Sequence, residues 1–281
     1  MPLYKKGDTH LAANYRPVSL TSITCKLLEH IVHSSIMKHF YQQNILFDNQ
    51  HDFRKRRSCE SQLIITIDRI AKYLSNGTQI DIILLDFEKA FDKVPHSRLL
   101  YKLQFYGVRG RTNSWISSFL SNRKQQVVLE GARSQQDDVL SGVPQGTVLG
   151  PLLFLTYIND MPGYTQSDVR LFADDSLLYR EISNAKDTEQ LQKDLEALEN
   201  WEKTWMMRFN PTKCNIIRIP PKNKEPIQYP YTLHGHILEP VDSAKYLGVS
   251  ISNNLSWNKH IQSVTAKGNR TLGFQTLLNE T

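Results

Sequence analysis

Six residues, Ile80-Asp81-Ile82-Ile83-Leu84-Leu85, constrain the fold of this chain more than any other stretch. The run is short, apolar and β-branched, and the Asn76-Gly77 turn precedes it. That pattern predicts a buried strand. Asp86 closes the run, so a carboxylate stands at a strand end. By itself such an aspartate is usually a cap, and its neighbours must say otherwise.

The rest of the chain supplies partners for that strand. Val169 to Phe172 and Ser176 to Tyr179 read as two short strands joined by Ala173-Asp174-Asp175, a tight hairpin. Apolar residues at helical spacing predict one helix through Ile23, Leu27, Leu28, Ile31, Val32 and Ile36, and a second through Leu63, Ile67, Ile70 and Leu74. A third is expected from about Pro95, with Asp92 placed to cap it, and a fourth from Gly150-Pro151 to about Asn159. Leu191, Leu195, Leu198, Trp201 and Trp205 share one face of a long amphipathic helix with Asn184 as its cap. Residues 126–143 suggest paired strands broken at Glu130-Gly131, while Cys214 to Ile219 and Tyr246 to Ile251 read as further strands. Strand, helix, strand hairpin, helix, strand is the order of a split βαβ, ferredoxin-like antiparallel sheet, an α+β fold.

Composition narrows the class without naming it. With 281 residues the chain can bury a proper core, as one large domain or two modest ones. The net charge of +6 permits a nucleic-acid partner. Three scattered cysteines, without a CxxC pair, exclude a disulfide scaffold or a zinc ribbon and favour a reduced, intracellular setting. The opening MPLYKKGDTH has no apolar core, and the longest apolar stretch, Val148 to Ile158, is about half a bilayer-spanning length, so no membrane segment is expected.

If Asp86 and the Asp174-Asp175 pair meet on one sheet, their mutual repulsion calls for cations. Two Mg²⁺ ions about 3.5–4 Å apart suit that need and suit in-line displacement at phosphorus. An Asp-Asp pair in a turn is otherwise ordinary turn chemistry.

The surrounding motifs carry a resemblance. LLDFEKAFDKV resembles motif A of reverse transcriptases, SGVPQGTVLGPLLF motif B, LFADD motif C, NPTKC motif D and KYLGV motif E. Upstream, NYRPVSL and QHDFRKRRSCESQL resemble finger motifs of non-long-terminal-repeat (LINE-type) retrotransposons, the jockey-like group especially. The series covers nearly the whole chain in the right order.

The resemblance implies a right-hand polymerase: fingers over 1–78, a palm over 79–219, and motif E with the start of a thumb connection over 220–281, the thumb missing or incomplete. It implies RNA-directed DNA synthesis with an RNA template, a DNA primer, dNTPs and two Mg²⁺ ions, for which Mn²⁺ can substitute. Asp86, Asp174 and Asp175 would be the catalytic metal ligands, with Asp175 the softer third and the Phe87 backbone carbonyl assisting. Arg54, Phe91, Gln145, Gly146 and Lys213 would serve the incoming nucleotide: Arg54 at its triphosphate, Phe91 as a gate against a 2′-hydroxyl, Lys213 as proton donor to pyrophosphate. Lys55, Arg57, Tyr246, Leu247 and Gly248 would face template or primer. The family's genomic target implies a nuclear site of action, with the cytoplasm as the alternative.

Two positions depart from the pattern: Asp52 and Arg56 stand where the family commonly has glycine. Two other readings stay open. One is a silent remnant that at most binds nucleic acid; the other is an RNA-dependent RNA polymerase, which Phe91 opposes.

Overall fold

The computed structural model describes residues 2–5, 7–11, 14–129 and 131–279. In chain order it begins with β1 (Pro2–Tyr4), β2 (Tyr15–Pro17), α1 (Ile23–Gln42), α2 (Cys59–Ser75) and β3 (Gln79–Leu85). Next come α3 (His96–Phe105), α4 (Gly110–Leu120), β4 (Lys124–Gln125), β5 (Val128–Leu129), β6 (Ala132–Arg133), β7 (Asp137–Asp138) and α5 (Leu149–Ile158). The hairpin β8 (Asp168–Phe172) and β9 (Asp175–Ile182) precedes α6 (Ala185–Trp205) and β10 (Asn215–Ile219). The chain continues through β11 (Thr232–Leu233), β12 (His236–Ile237), β13 (Glu239–Pro240), β14 (Ser243–Tyr246), β15 (Val249–Ser252) and α7 (Asn258–Asn279).

Two compact units share these elements. One comprises 1–57, 87–164 and 197–209; the other comprises 58–86, 165–196 and 210–281.

The second unit holds the main sheet, in the order β13-β10-β3-β9-β8. The apolar run Ile80 to Leu85 lies in its central strand, buried because β9 and β10 flank it. β10, β3, β9 and β8 are antiparallel, as the sequence suggested, but β13 runs parallel to β10 and makes the sheet mixed. One face of the sheet, with Ile80, Ile82, Leu177, Tyr179, Ile217 and Ile219, packs on Ile70 of α2 and on Tyr246 and Ile251. Asp81, the polar exception in β3, is buried and satisfied by Gln79 and the Tyr231 hydroxyl, 2.7 and 2.8 Å away. Burial raises its pKa. Tyr246 to Ile251 is not one strand: β14 and β15 pair around Leu247-Gly248, both with positive φ (47° and 87°), which suits a two-residue hairpin turn.

The first unit is mostly helical. α5 is hydrophobic all round and buried all round. Its N-terminus is closed by a residue the sequence did not single out: the fully buried Glu29 of α1 accepts hydrogen bonds from the N–H groups of Val148 and Leu149 at 2.8 and 2.9 Å. A carboxylate there answers the positive end of the helix dipole. Asp92 does not cap α3; Pro95 holds the cap position with no side-chain bond. α3 buries Leu99, Lys102 and Leu103. The Lys102 ammonium lies 2.5 Å from Asp160 Oδ1 and 3.7 Å from the Trp205 ring centre, and burial pushes its pKa down to about 8. Glu130, half of the expected turn between β5 and β6, lies outside the described residues.

Candidate active site

The strand registers place the carboxylates. β3 and β9 pair as far as Leu85 with Ser176, and β3 and β10 as far as Leu84 with Asn215. One further step in the first register sets Asp175 on one side of Asp86, and two in the second set Lys213 on the other. Alternation along the strands gives all three one face, the face of Leu84 and Leu177. The geometry agrees: Lys213 Nζ stands 3.3 Å from Asp86 Oδ1, and Asp86, Asp175 and Lys213 line one open cleft of ≈ 250 Å³ with Ser243 and Lys245. Two carboxylates directly opposite each other repel. Lys213 offsets the charge of one, and Lys245 lines the same cleft.

Asp174 sits in the two-residue loop that joins Phe172 to its pair Asp175. Ala173, the other loop residue, has φ 47°, a left-handed conformation that costs a non-glycine residue about 1–2 kcal/mol. Strain of this kind collects at functional turns.

The backbone around the row is firmly tied. Asn210 N–H donates to the Asp86 carbonyl at 2.7 Å. The Asn210 side chain accepts from the N–H and hydroxyl of Thr212, an Asx turn that fixes the approach to Lys213. Glu88 N–H donates to the Arg208 carbonyl, so the Phe87↔Phe209 bridge leaves the Phe87 carbonyl out of its pairing. The Phe87 ring is buried and stacks on Phe209 at 4.3 Å. Among the described residues, no three or more His, Cys, Asp or Glu side chains are grouped to hold a metal ion. The facing pair Asp86 and Asp175 nonetheless fits Mg²⁺, which takes one or two protein carboxylates and completes its shell with water and phosphate oxygens.

Tyr246, Leu247 and Gly248 occupy the β14–β15 turn of the same unit. Tyr246 is a core residue: its hydroxyl accepts from Gln62 at 3.3 Å, and burial raises its pKa. Leu247 packs on the same core, leaving Gly248 as the open position of the turn.

The remaining residues singled out from the sequence lie in the first unit. Phe91 stacks on Phe154 of α5 at 4.4 Å, and its carbonyl accepts from Val143 N–H at 2.7 Å, tying motif A to motif B. The Gln145 carbonyl accepts from Ser19 N–H at 2.8 Å. Gly146 has φ 88°, and a Cβ there would come within 2.9 Å of the Ser19 carbonyl oxygen, so both torsion and space require glycine. Arg54 is committed locally: Nη1 donates to the carbonyls of Phe47 and Gln50 at 2.8 and 3.3 Å, and the guanidinium lies over Tyr41. Arg57 bonds His51 at 2.7 Å and pairs with Asp48 at 3.6 Å. Lys55 is exposed. Arg56, one of the two departures, has φ 62°, which gives a physical reason for glycine at that position.

Comparison with known proteins gives the class first. Telomerase from Candida tropicalis in complex with a fragment of telomeric RNA superposes with a TM-score of 0.55 at 11% identity, over 80% of this chain and 36% of the other. Its apo form gives 0.53 over 82% and 40%. The likeness to both is one of fold, an α+β fold. The family model described as reverse transcriptase (RNA-dependent DNA polymerase) then matches residues 4–251, and the chain belongs to that family. The RNA-directed DNA polymerase from mobile element jockey is similar in Drosophila funebris (30% identity, 89% of this chain) and in Drosophila melanogaster (28%, 93%). The chain spans only 28% and 29% of those two relatives. The family generally uses divalent metal ions. Among the described residues no helix is long and apolar enough to cross a membrane.

Proposed function

We propose that this chain performs RNA-directed DNA synthesis for a LINE-type element, extending a DNA primer with dNTPs on an RNA template. The observation that carries the reading is the row Lys213, Asp86, Asp175 across the end of the sheet, with Asp174 in the strained turn beside it. The fingers comprise 1–78, the palm 79–219, and 220–281 adds motif E and the thumb connection. The nucleus is the proposed site of action.

Asp86, Asp174 and Asp175, with the Phe87 carbonyl, would hold two Mg²⁺ ions, for which Mn²⁺ would substitute. Bound metal supplies the Lewis acidity that makes the primer 3′-hydroxyl nucleophilic and stabilises charge on the phosphates. The protein's own part is position and protons. Lys213 gives a proton to the departing pyrophosphate. Phe91, braced from behind by Phe154, blocks a 2′-hydroxyl. Gln145 and Gly146 bound the nascent base pair, and Arg54 receives the triphosphate. Lys55, Arg57 and the β14–β15 turn at Gly248 guide template and primer, with Tyr246 and Leu247 holding that turn from the core.

Primer extension on an RNA template tests the reading, with Asp174→Asn as the control. Wild type extends and the variant does not. Equal, background-level extension by both, with template binding retained, rejects it in favour of a silent nucleic-acid binder. Phe91→Ala relaxes discrimination between dNTPs and NTPs; unchanged discrimination removes the gate.

A further inference from the structure

The surface of α3 carries an arrangement that the polymerase reading does not use. Tyr101 and Phe105 are one turn apart and therefore share a helix face. They are 62% and 72% exposed, while Leu99, Lys102 and Leu103 turn inward. Together with Gln104 and Arg109 they line an open cavity of ≈ 260 Å³. Paired exposed rings at helical spacing, lining a cavity, mark a binding surface more than a chance exposure.

Charge says what the surface binds. From Lys93 to Leu129 the chain has seven Lys and Arg and not one Asp or Glu. Lys93, Lys102 and Lys124 pair with Glu88, Asp160 and Asp138, which leaves Arg98, Arg109 and Arg111 as the cations that favour a polyanion. Arg109 is held at the cavity: its Nε–H donates to the Gln104 carbonyl at 3.1 Å, and its Nη donors remain for a ligand. Tyr101 is backed by Trp205, with ring centres 6.3 Å apart, so it is a braced platform. Flat aromatic faces beside fixed arginines are the means by which proteins hold single strands without reading their sequence. An apolar protein partner would not call for a stretch so free of acid.

We propose that Tyr101, Gln104, Phe105 and Arg109 form a binding site for single-stranded RNA, separate from the residues assigned to nucleotide addition. The rings stack on bases, the guanidinium meets a phosphate, and the Gln104 amide meets a base edge. Such a site gives the chain a second hold on its RNA.

The test uses the 281-residue chain in EDTA and a fluorescein-labelled oligouridine carrying 4-thiouridine. Tyr101→Ala with Phe105→Ala weakens binding roughly tenfold or more. Arg109→Ala lowers the slope of log affinity against log salt by about 0.7, the value for one phosphate on a single strand. Photocrosslinks on wild type map to the peptide containing Tyr101 and Phe105, a result that does not depend on any variant folding. Asp86→Asn leaves the crosslinks in place. Crosslinks confined to other peptides overturn the proposal. So does an unchanged affinity in the double variant, including the case where it loses only self-association in sedimentation and the surface proves to be an interface between copies.

Discussion

The end of β3 and the loop between α1 and α2 both concentrate charge, yet they use it in opposite ways. At the strand end, the ladder satisfies the backbone up to Leu85, and alternation then delivers Asp86, Asp175 and Lys213 onto one open face. In the loop around 48–58 the described backbone forms no strand, with a bridge at Gln50. There Arg54 bonds the carbonyls of Phe47 and Gln50, and Arg57 bonds His51, so the cations share in holding the segment with the side chains of Gln50, Asp52 and Tyr41. A sheet can therefore present charged side chains for chemistry at little structural cost. A basic run in a loop of this kind is first a structural device, and its use on a ligand requires those bonds to be exchanged.

Substitutions can break this contrast. Asp86→Asn should have the largest effect: primer extension falls at least roughly 10²–10³-fold, the scale for removing a preorganised electrostatic group, while the melting temperature holds. A large fall in melting temperature would make Asp86 structural. Arg54→Ala should do the reverse and lower stability by about 1.5–3 kcal/mol, the scale of a hydrogen bond to a charged group, in denaturant titration. Unchanged stability with a raised KM for dNTP would show that the loop holds its shape without Arg54. Gly146→Ala should cost about 1–2 kcal/mol or more, because the added Cβ meets Ser19 in a left-handed backbone. Arg56→Gly is the smallest: relief at φ 62° less the entropy of glycine leaves a gain of about 0.5 kcal/mol, seen as a slightly higher melting temperature. A loss instead would mean the Arg56 side chain stabilises the loop.

The sequence made legible whatever follows from periodicity. β3, the β8–β9 hairpin, α1, α2, α5 and α6 stand where their apolar patterns put them, and Asn184 caps α6 through the Lys186 N–H at 2.9 Å. What escaped depends on distant partners. Glu29 looks like one more polar residue of α1, and only folding brings it to the N-terminus of α5. Its signal was its being the lone acid of α1, while Val148 at the start of α5 has no side chain that can cap. The parallel edge strand β13 is two residues long, too short to carry a pattern. The turn at Leu247-Gly248 was hidden because Leu247 is an apolar residue in a conformation that glycine or asparagine usually fills. The motifs named Lys213 as a proton donor, but its place beside Asp86 is a matter of register between two strands.

The central claim, that Asp86 and the Asp174-Asp175 turn hold metal together, has a direct measurement. Fe²⁺ is exchanged for Mg²⁺ in the presence of ascorbate and peroxide, and the backbone cuts made by the radicals formed at the bound ion are mapped by mass spectrometry. Cuts are expected beside Asp86 and beside Asp174-Asp175 in the same sample, suppressed by excess Mg²⁺ and absent from Asp86→Asn. Cuts at only one of the two segments, or cuts that persist in Asp86→Asn, would contradict that claim.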